Sequence, residues 1–294
     1  MTYQTIISTG ELQDHLGAEN WAVADCRFSL QDPEQGRREY HRGHIPAAFY
    51  VDLDQDLSGE IIPGKTGRHP LPEPADFAET VSLWGIDEQV QVVAYDDRGG
   101  AIAARLWWML RWLGHEQVAV LDGGWRQWVK EGRPVESEMV PRKPRTFHPE
   151  PDHSRWVDAN FVARVLYNPR YRMVDARDAA RYRGEEEPMD PEAGHIPGAV
   201  SRPYLENLDE DGRFRSRDEL RDRFQNLFAE HEPAELIMYC GSGVTSVHNI
   251  IAALIAGYGE PKLYPGSWSE WITDPDRPRA DSRSSSRQEK GERS

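Results

Sequence analysis

The chain has 294 residues, with 35 Lys+Arg against 50 Asp+Glu and a formal net charge of -15. That acidic balance excludes nucleic-acid binding through a general basic face and argues against docking on anionic membranes, because phosphate would be repelled. The two cysteines, Cys26 and Cys240, exclude a disulfide scaffold and any zinc site built on four thiolates.

At roughly 100–200 residues per domain, the length predicts two domains or one large one. The start shows no basic stretch followed by an apolar run, so no signal peptide is expected. No segment approaches the ~18 uninterrupted apolar residues of a membrane span, and a cytoplasmic protein is the expectation. The apolar run 21–26 ends in Asp25-Cys26 and reads as a buried parallel strand. Arg42-Gly43-His44-Ile45-Pro46-Ala47-Ala48 follows as a turn. A second strand, 91–95, runs into a Gly-bearing turn and then a helical pattern over 101–113. A third strand is read at 118–121, before Leu121-Asp122-Gly123-Gly124-Trp125-Arg126-Gln127-Trp128. Prolines at 134, 141, 144, 149 and 151 then interrupt regular structure and mark a linker over 136–153.

Beyond the linker the same order returns. The strand at 172–175, ending Val174-Asp175-Ala176-Arg177, echoes Ala24-Asp25-Cys26-Arg27, and Ala193-Gly194-His195-Ile196-Pro197-Gly198-Ala199 echoes the first turn at nearly the same interval. Strand 236–239, a Gly-bearing turn, helix 244–256 and strand 262–264 follow, closed by Tyr264-Pro265-Gly266-Ser267-Trp268-Ser269-Glu270-Trp271. The chain is therefore a duplication: an α/β domain over 1–135, a linker, and a second copy over 154–279, each a parallel sheet with helices on both faces. The Ser/Arg/Glu-rich end, 280–294, reads as a disordered tail.

The chemistry concentrates at Cys240-Gly241-Ser242-Gly243-Val244-Thr245, between a strand and a helix. Ligands collect beyond the carboxyl ends of parallel strands. Two glycines allow a tight turn with N–H groups pointing at one centre, and the helix adds its positive end. Such surroundings favour a thiolate or an anionic adduct on sulfur. In the first copy Asp96 takes the place of Cys240, so that copy lacks the nucleophile, while Cys26 ends a strand and reads as structural. A cysteine-dependent phosphatase would need an arginine at position 246 to hold the phosphoryl oxygens, and Ser246 stands there. Because both copies carry them, His44 and His195 read as structural; Trp125, Trp128, Trp268 and Trp271 read as core.

From Trp21 to Trp271 the chain resembles the tandem rhodanese-type sulfurtransferases, on the Cys240 loop, the paired Gly-His-Ile-Pro segments and the Gly-x-Trp segments. The loop is similar to that of the 3-mercaptopyruvate sulfurtransferases; thiosulfate sulfurtransferases typically carry Arg and Lys where this chain has Gly241 and Ser242. The resemblance implies that Cys240 takes a sulfur from 3-mercaptopyruvate as a persulfide, releases pyruvate and passes the sulfur to a thiol acceptor such as thioredoxin or a small thiol, or to cyanide. It implies no metal and no organic cofactor. Two alternatives stand beside it: thiosulfate as donor, or a non-catalytic persulfide carrier. Residue by residue, the resemblance assigns donor binding to Arg181, Gly241, Gly243, Val244 and Thr245, and a proton relay to Ser242, His69 and Asp54. The relay makes the first domain one wall of the active site. The acidic segment before the second Gly-His-Ile-Pro carries Met189 where the mercaptopyruvate enzymes have a second arginine. Arg181 and the helix N-terminus are left as the local positive site for an anionic donor.

Overall fold

The computed structural model describes residues 2–139 and 141–281. They form two compact units. The first comprises the chain up to Glu60 together with Leu71–His153 and Leu208–Ser216; the second comprises Ile61–Pro70, Ser154–Asn207 and the chain from Arg217 on. Each unit thus takes in one short segment from the other copy, which a contiguous division at a linker does not express.

The first unit carries five strands: β1 (Ile6–Ile7), β2 (Trp21–Asp25), β3 (Ala48–Tyr50), β4 (Gln91–Tyr95) and β5 (Val118–Leu121). They pair in the order β1-β5-β4-β2-β3, all parallel. The second unit carries β6 (Arg172–Asp175), β7 (Val200–Ser201), β8 (Leu236–Tyr239) and β9 (Lys262–Leu263), parallel in the order β7-β6-β8-β9. Every residue of β2, β4, β5 and β8 is buried, as parallel strands covered on both faces require. Helix Ala103–Trp112 packs with β4 and β5, and helix Ser246–Ile255 with β8. Each starts two residues later than its hydrophobic pattern, because the preceding residues close the turn described below.

The registers align the carboxyl ends: Asp25 pairs with Tyr50 and Tyr95, and Asp175 with Ser201 and Tyr239. Both copies then build the same buried knot. Arg27 Nε donates to Asp25 at 3.0 Å and its Nη2 to the Gly43 carbonyl at 2.7 Å; Arg177 repeats this with Asp175 at 3.1 Å and Gly194 at 2.6 Å. The guanidiniums lie over Trp125 at 4.3 Å and Trp268 at 5.1 Å. His44 stacks on Tyr40 and His195 on Tyr182, both at 4.0 Å, each ring Nδ1 against the same tyrosine's carbonyl. The paired histidines therefore have a structural place in both copies. Trp128, Trp268 and Trp271 are fully buried, and Trp125 is half-buried under Arg27.

The expected tail needs correction at its first residues, and the linker is packed. The proline-rich stretch is bound along the first unit: Arg145, Glu150 and Asp152 donate their N–H groups to the carbonyls of Ser82, Leu113 and Trp112 at 2.8–3.0 Å. The linker is thus packed against that unit. The ordered chain also runs past 279, since Ala280 and His195 exchange both backbone hydrogen bonds, at 2.8 and 2.9 Å. The rest of the expected tail, from 282, lies outside the described residues.

Candidate active site

The Cys240 turn follows β8 and precedes helix Ser246–Ile255. Gly243 sits at φ +76, and a Cβ there would meet the Pro265 carbonyl oxygen at 2.1 Å, so only glycine fits. The turn is held from below by the segment after β9. The Cys240 N–H donates to Ser267 Oγ at 3.1 Å, Trp268 N–H donates to the Cys240 carbonyl at 3.0 Å, and Ser269 N–H to the Gly241 carbonyl at 2.8 Å. Ser267 itself takes a left-handed φ of 54, where the first copy has Gly124 at φ 53.

The Cys240 side chain is 2% exposed. Burial pushes its thiol up, but the Thr245 hydroxyl, the Ser242 N–H and the Ser246 hydroxyl and N–H oppose this, and the net position is below an ordinary thiol. The Ser246 hydroxyl acts there as a nearby dipole, since its oxygen is buried without an aligned hydrogen bond. The first copy shows what such a cradle does when a carboxylate fills it. Asp96 Oδ1 accepts the N–H groups of Arg98 and Gly100 at 2.8 and 2.9 Å, and Oδ2 those of Ile102 and Ala103 at 2.7 and 2.9 Å. The turn is an anion-binding nest in both copies, with the anion built in at 96 and a sulfur at 240.

Of the residues expected around the sulfur, Ser242 and His69 are brought together: His69 Nδ1 and Ser242 Oγ lie 2.7 Å apart, both buried. This contact lies within the second unit, because Ile61–Pro70 belongs to it. The segment is clamped there: Arg68 N–H donates to Ser269 Oγ at 3.1 Å, and a Cβ on Gly67 would lie 2.7 Å from the Gly266 carbonyl oxygen. Val244 is buried and Thr245 half-buried. Asp54 lies in the first unit, exposed, with its N–H on the Asp52 carboxylate at 2.9 Å.

Arg181 reaches the loop, with Nη2 and Nη1 at 3.4 and 3.6 Å from where a Gly241 Cβ would stand. It does not supply the net positive charge expected of it. Its Nε and Nη2 bind Glu187 at 3.1 and 2.7 Å, and Nη2 also reaches Asp190 at 3.2 Å. Glu187, in the acidic segment that carries Met189, has a side chain only 4% exposed and also holds Arg177 at 3.2 Å. A residue the sequence did not single out joins them: Arg68 Nη2 would lie 2.8 Å from a Gly241 Cβ, and its Nη1 is paired with Asp190. Burial pulls its guanidinium down, against the upward pull of the Cys240 charge, with the like charge of Arg181 adding to the fall. Its adjacency to His69 was the available signal. Met189 is 37% exposed, and what it gives the cluster is its backbone N–H, donated to Glu187 at 3.1 Å.

A parallel sheet with a cysteine nest at a strand's carboxyl end, repeated once without the cysteine, defines the class: these are the sulfurtransferases built from paired rhodanese domains. The chain belongs to the rhodanese family, whose Rhodanese-like domain matches residues 8–131 and 159–274. A probable 3-mercaptopyruvate sulfurtransferase of Pseudomonas aeruginosa is 45% identical over 95% of this chain and 98% of its own length. A putative thiosulfate sulfurtransferase of Mycobacterium tuberculosis, SseB, is 37% identical over 94% and 96%. Among solved structures, the 3-mercaptopyruvate sulfurtransferase from Leishmania major matches with a TM-score of 0.80 and 31% identity, over 91% of this chain and 74% of its own.

Proposed function

We propose that this chain transfers sulfur from 3-mercaptopyruvate, through a persulfide on Cys240, to a thiol. The Cys240 thiolate attacks the donor's sulfur. A new S–S bond forms, the donor's C–S bond breaks, and its electron pair passes to the carbon as pyruvate enolate. The enolate takes a proton and leaves as pyruvate. An acceptor thiolate then attacks the outer sulfur and restores Cys240, so ping-pong kinetics follow. Ser242, backed by His69, is placed to deliver the proton, and Asp54 completes the relay on the strength of its segment. Gly241, Gly243, Val244 and Thr245 supply the nest for the sulfur. Small thiols or thioredoxin serve as acceptors in a reducing cytoplasm, where Cys26 and Cys240 stay free thiols.

One observation carries this reading: the Cys240 sulfur lies in a nest whose counterpart in the same chain holds a carboxylate with four N–H groups. The guanidiniums of Arg68, Arg177 and Arg181 are matched by the carboxylates of Asp175, Glu187 and Asp190. Such a balanced cluster favours a monoanionic donor over dianionic thiosulfate, which is kept as the second reading because relatives of that name match over most of the chain.

Mass spectrometry after mixing with 3-mercaptopyruvate and no acceptor tests the proposal. The peptide bearing Cys240 should gain about 32 Da, the mass of one persulfide sulfur, with one pyruvate released per sulfur gained. Cys240→Ser should do neither. Pyruvate release without sulfur on Cys240 would refute it, loading only from a persulfidated protein would make the chain a carrier, and faster turnover with thiosulfate would change the donor. His69→Ala or Asp54→Ala should slow pyruvate release; a wild-type rate in either removes that residue from the relay.

A further inference from the structure

The first unit holds a cavity that the sulfur chemistry does not use. It measures about 640 Å³ and lies at the amino end of the first sheet: Trp21 opens β2, Ala47 precedes β3 and Asp87 precedes β4. The Asp96 nest stands at the carboxyl end of the same sheet, and Cys240 belongs to the second unit. One wall is the proline-rich linker, which contributes Arg142, Lys143 and Arg145.

Two kinds of lining meet there. The body is apolar and aromatic: the Trp21 ring with His15 stacked on it at 4.1 Å, beside Leu16, Val23 and Pro46. His15 is itself fixed, with Nδ1 2.8 Å from the Glu11 carbonyl oxygen. The linker side is cationic. Arg145 is engaged by Asp87 at 2.9 Å. Arg142 has no such partner. Half-buried, it donates from Nε to the Trp84 carbonyl at 2.8 Å and from Nη1 to the Trp21 carbonyl at 2.9 Å, and among the described residues no carboxylate pairs with it. Burial and then the like charge of Arg145 pull its guanidinium down, and no acidic group pulls it back. A charge taken partly out of water is ordinarily matched by an opposite one. Lys143 beside it is exposed and likewise forms no ion pair among the described residues. In a chain with a formal net charge of -15, two unmatched cations over an aromatic wall make a local site for an anion. The space suits a small molecule and far exceeds what an inorganic ion needs.

We propose that this cavity binds a small organic anion, a carboxylate carrying an aromatic body, with the carboxylate on Arg142 and Lys143 and the ring against Trp21 and His15. The two backbone carbonyls already orient the fork of Arg142, so little freedom is lost when the anion arrives. The copy that lacks a nucleophile thereby has a binding function of its own, independent of which sulfur donor Cys240 uses.

Isothermal titration calorimetry on the full chain tests this, with β-naphthoate as the probe and uncharged β-naphthamide as its control. One equivalent of naphthoate should bind, and the amide should bind at least about tenfold more weakly, the loss of one charge-assisted contact. Lys143→Glu, a change at an exposed position that leaves the fold intact, should weaken naphthoate by about tenfold, while Lys143→Arg keeps the wild-type affinity. Arg142→Gln should weaken it at least as much as Lys143→Glu. Because the second unit also carries arginines, the titration is repeated on Arg181→Ala, where an unchanged affinity assigns the probe to the first unit. Absence of binding up to about 1 mM, equal affinity for the amide, an unchanged affinity in Lys143→Glu, or loss of binding in Arg181→Ala would each overturn the proposal.

Discussion

The sulfur of Cys240 is governed by a contest that the structure resolves toward the thiolate: burial raises the thiol, and the Thr245 hydroxyl and loop N–H groups outweigh it. Alkylation by iodoacetamide should therefore follow a pH profile whose midpoint lies below that of an ordinary free thiol. Because the thiolate is the reactive form, the rate is full above that midpoint and falls as pH drops through it. Thr245→Val removes the hydroxyl that does most to oppose burial and should raise the midpoint; an unmoved midpoint would show that the N–H groups alone hold the charge. At this scale the sequence was partly legible. A lone cysteine in a Gly-Ser-Gly turn after an apolar run announces itself, and Arg181 sits in a recognisable segment. Arg68 does not, because a guanidinium beside a histidine in a Gly/Pro-rich stretch looks like any solvated charge. Glu187 and Asp190 were not legible either, because nothing in an acidic run marks which of its members folding will bury against arginines.

The two nests compare elements rather than residues. The chain from β4 into Ala103–Trp112 and that from β8 into Ser246–Ile255 follow one plan. The first is closed by its own Asp96 carboxylate, and the second is left for chemistry. Asp96 should therefore be a stability residue. Asp96→Ala would strand four inward N–H groups and should cost about 3 kcal/mol, within the range for losing hydrogen bonds to a buried charge. Thermal unfolding reads this as a lowered first transition, and a loss under about 1 kcal/mol would mean that water replaces the carboxylate without difficulty. The longer strands and both nest helices were legible because buried parallel strands are continuous apolar runs bounded by Gly turns. The strands β1, β3 and β7 were not, since two or three residues carry no periodicity and their pairing comes from neighbours. The exchange of Ile61–Pro70 and Leu208–Ser216 between units was hidden too, because nothing in a loop's composition says which sheet it will pack against.

At the scale of the whole molecule the formal charge of -15 opposes the substrate. Three arginines crowd the second unit's nest, yet Asp175, Glu187 and Asp190 neutralise them, so no local surplus of positive charge offsets the field of the other residues. Binding is then a short-range matter of guanidinium forks and N–H groups, which salt screens little, while approach is a long-range matter, which salt screens strongly. The two should separate cleanly on an ionic-strength series. Between about 10 and 150 mM salt, kcat/KM for the monoanion 3-mercaptopyruvate should rise, by roughly two- to fourfold, as the repulsive field is screened. For dianionic thiosulfate the rise should be roughly the square of that, because the work of approach doubles with the charge. A neutral osmolyte at matched osmolality should leave both rates flat. A fall with salt would mean instead that a net positive patch draws the donor in, and the charge balance drawn for the cluster around Arg68 and Arg181 would be wrong.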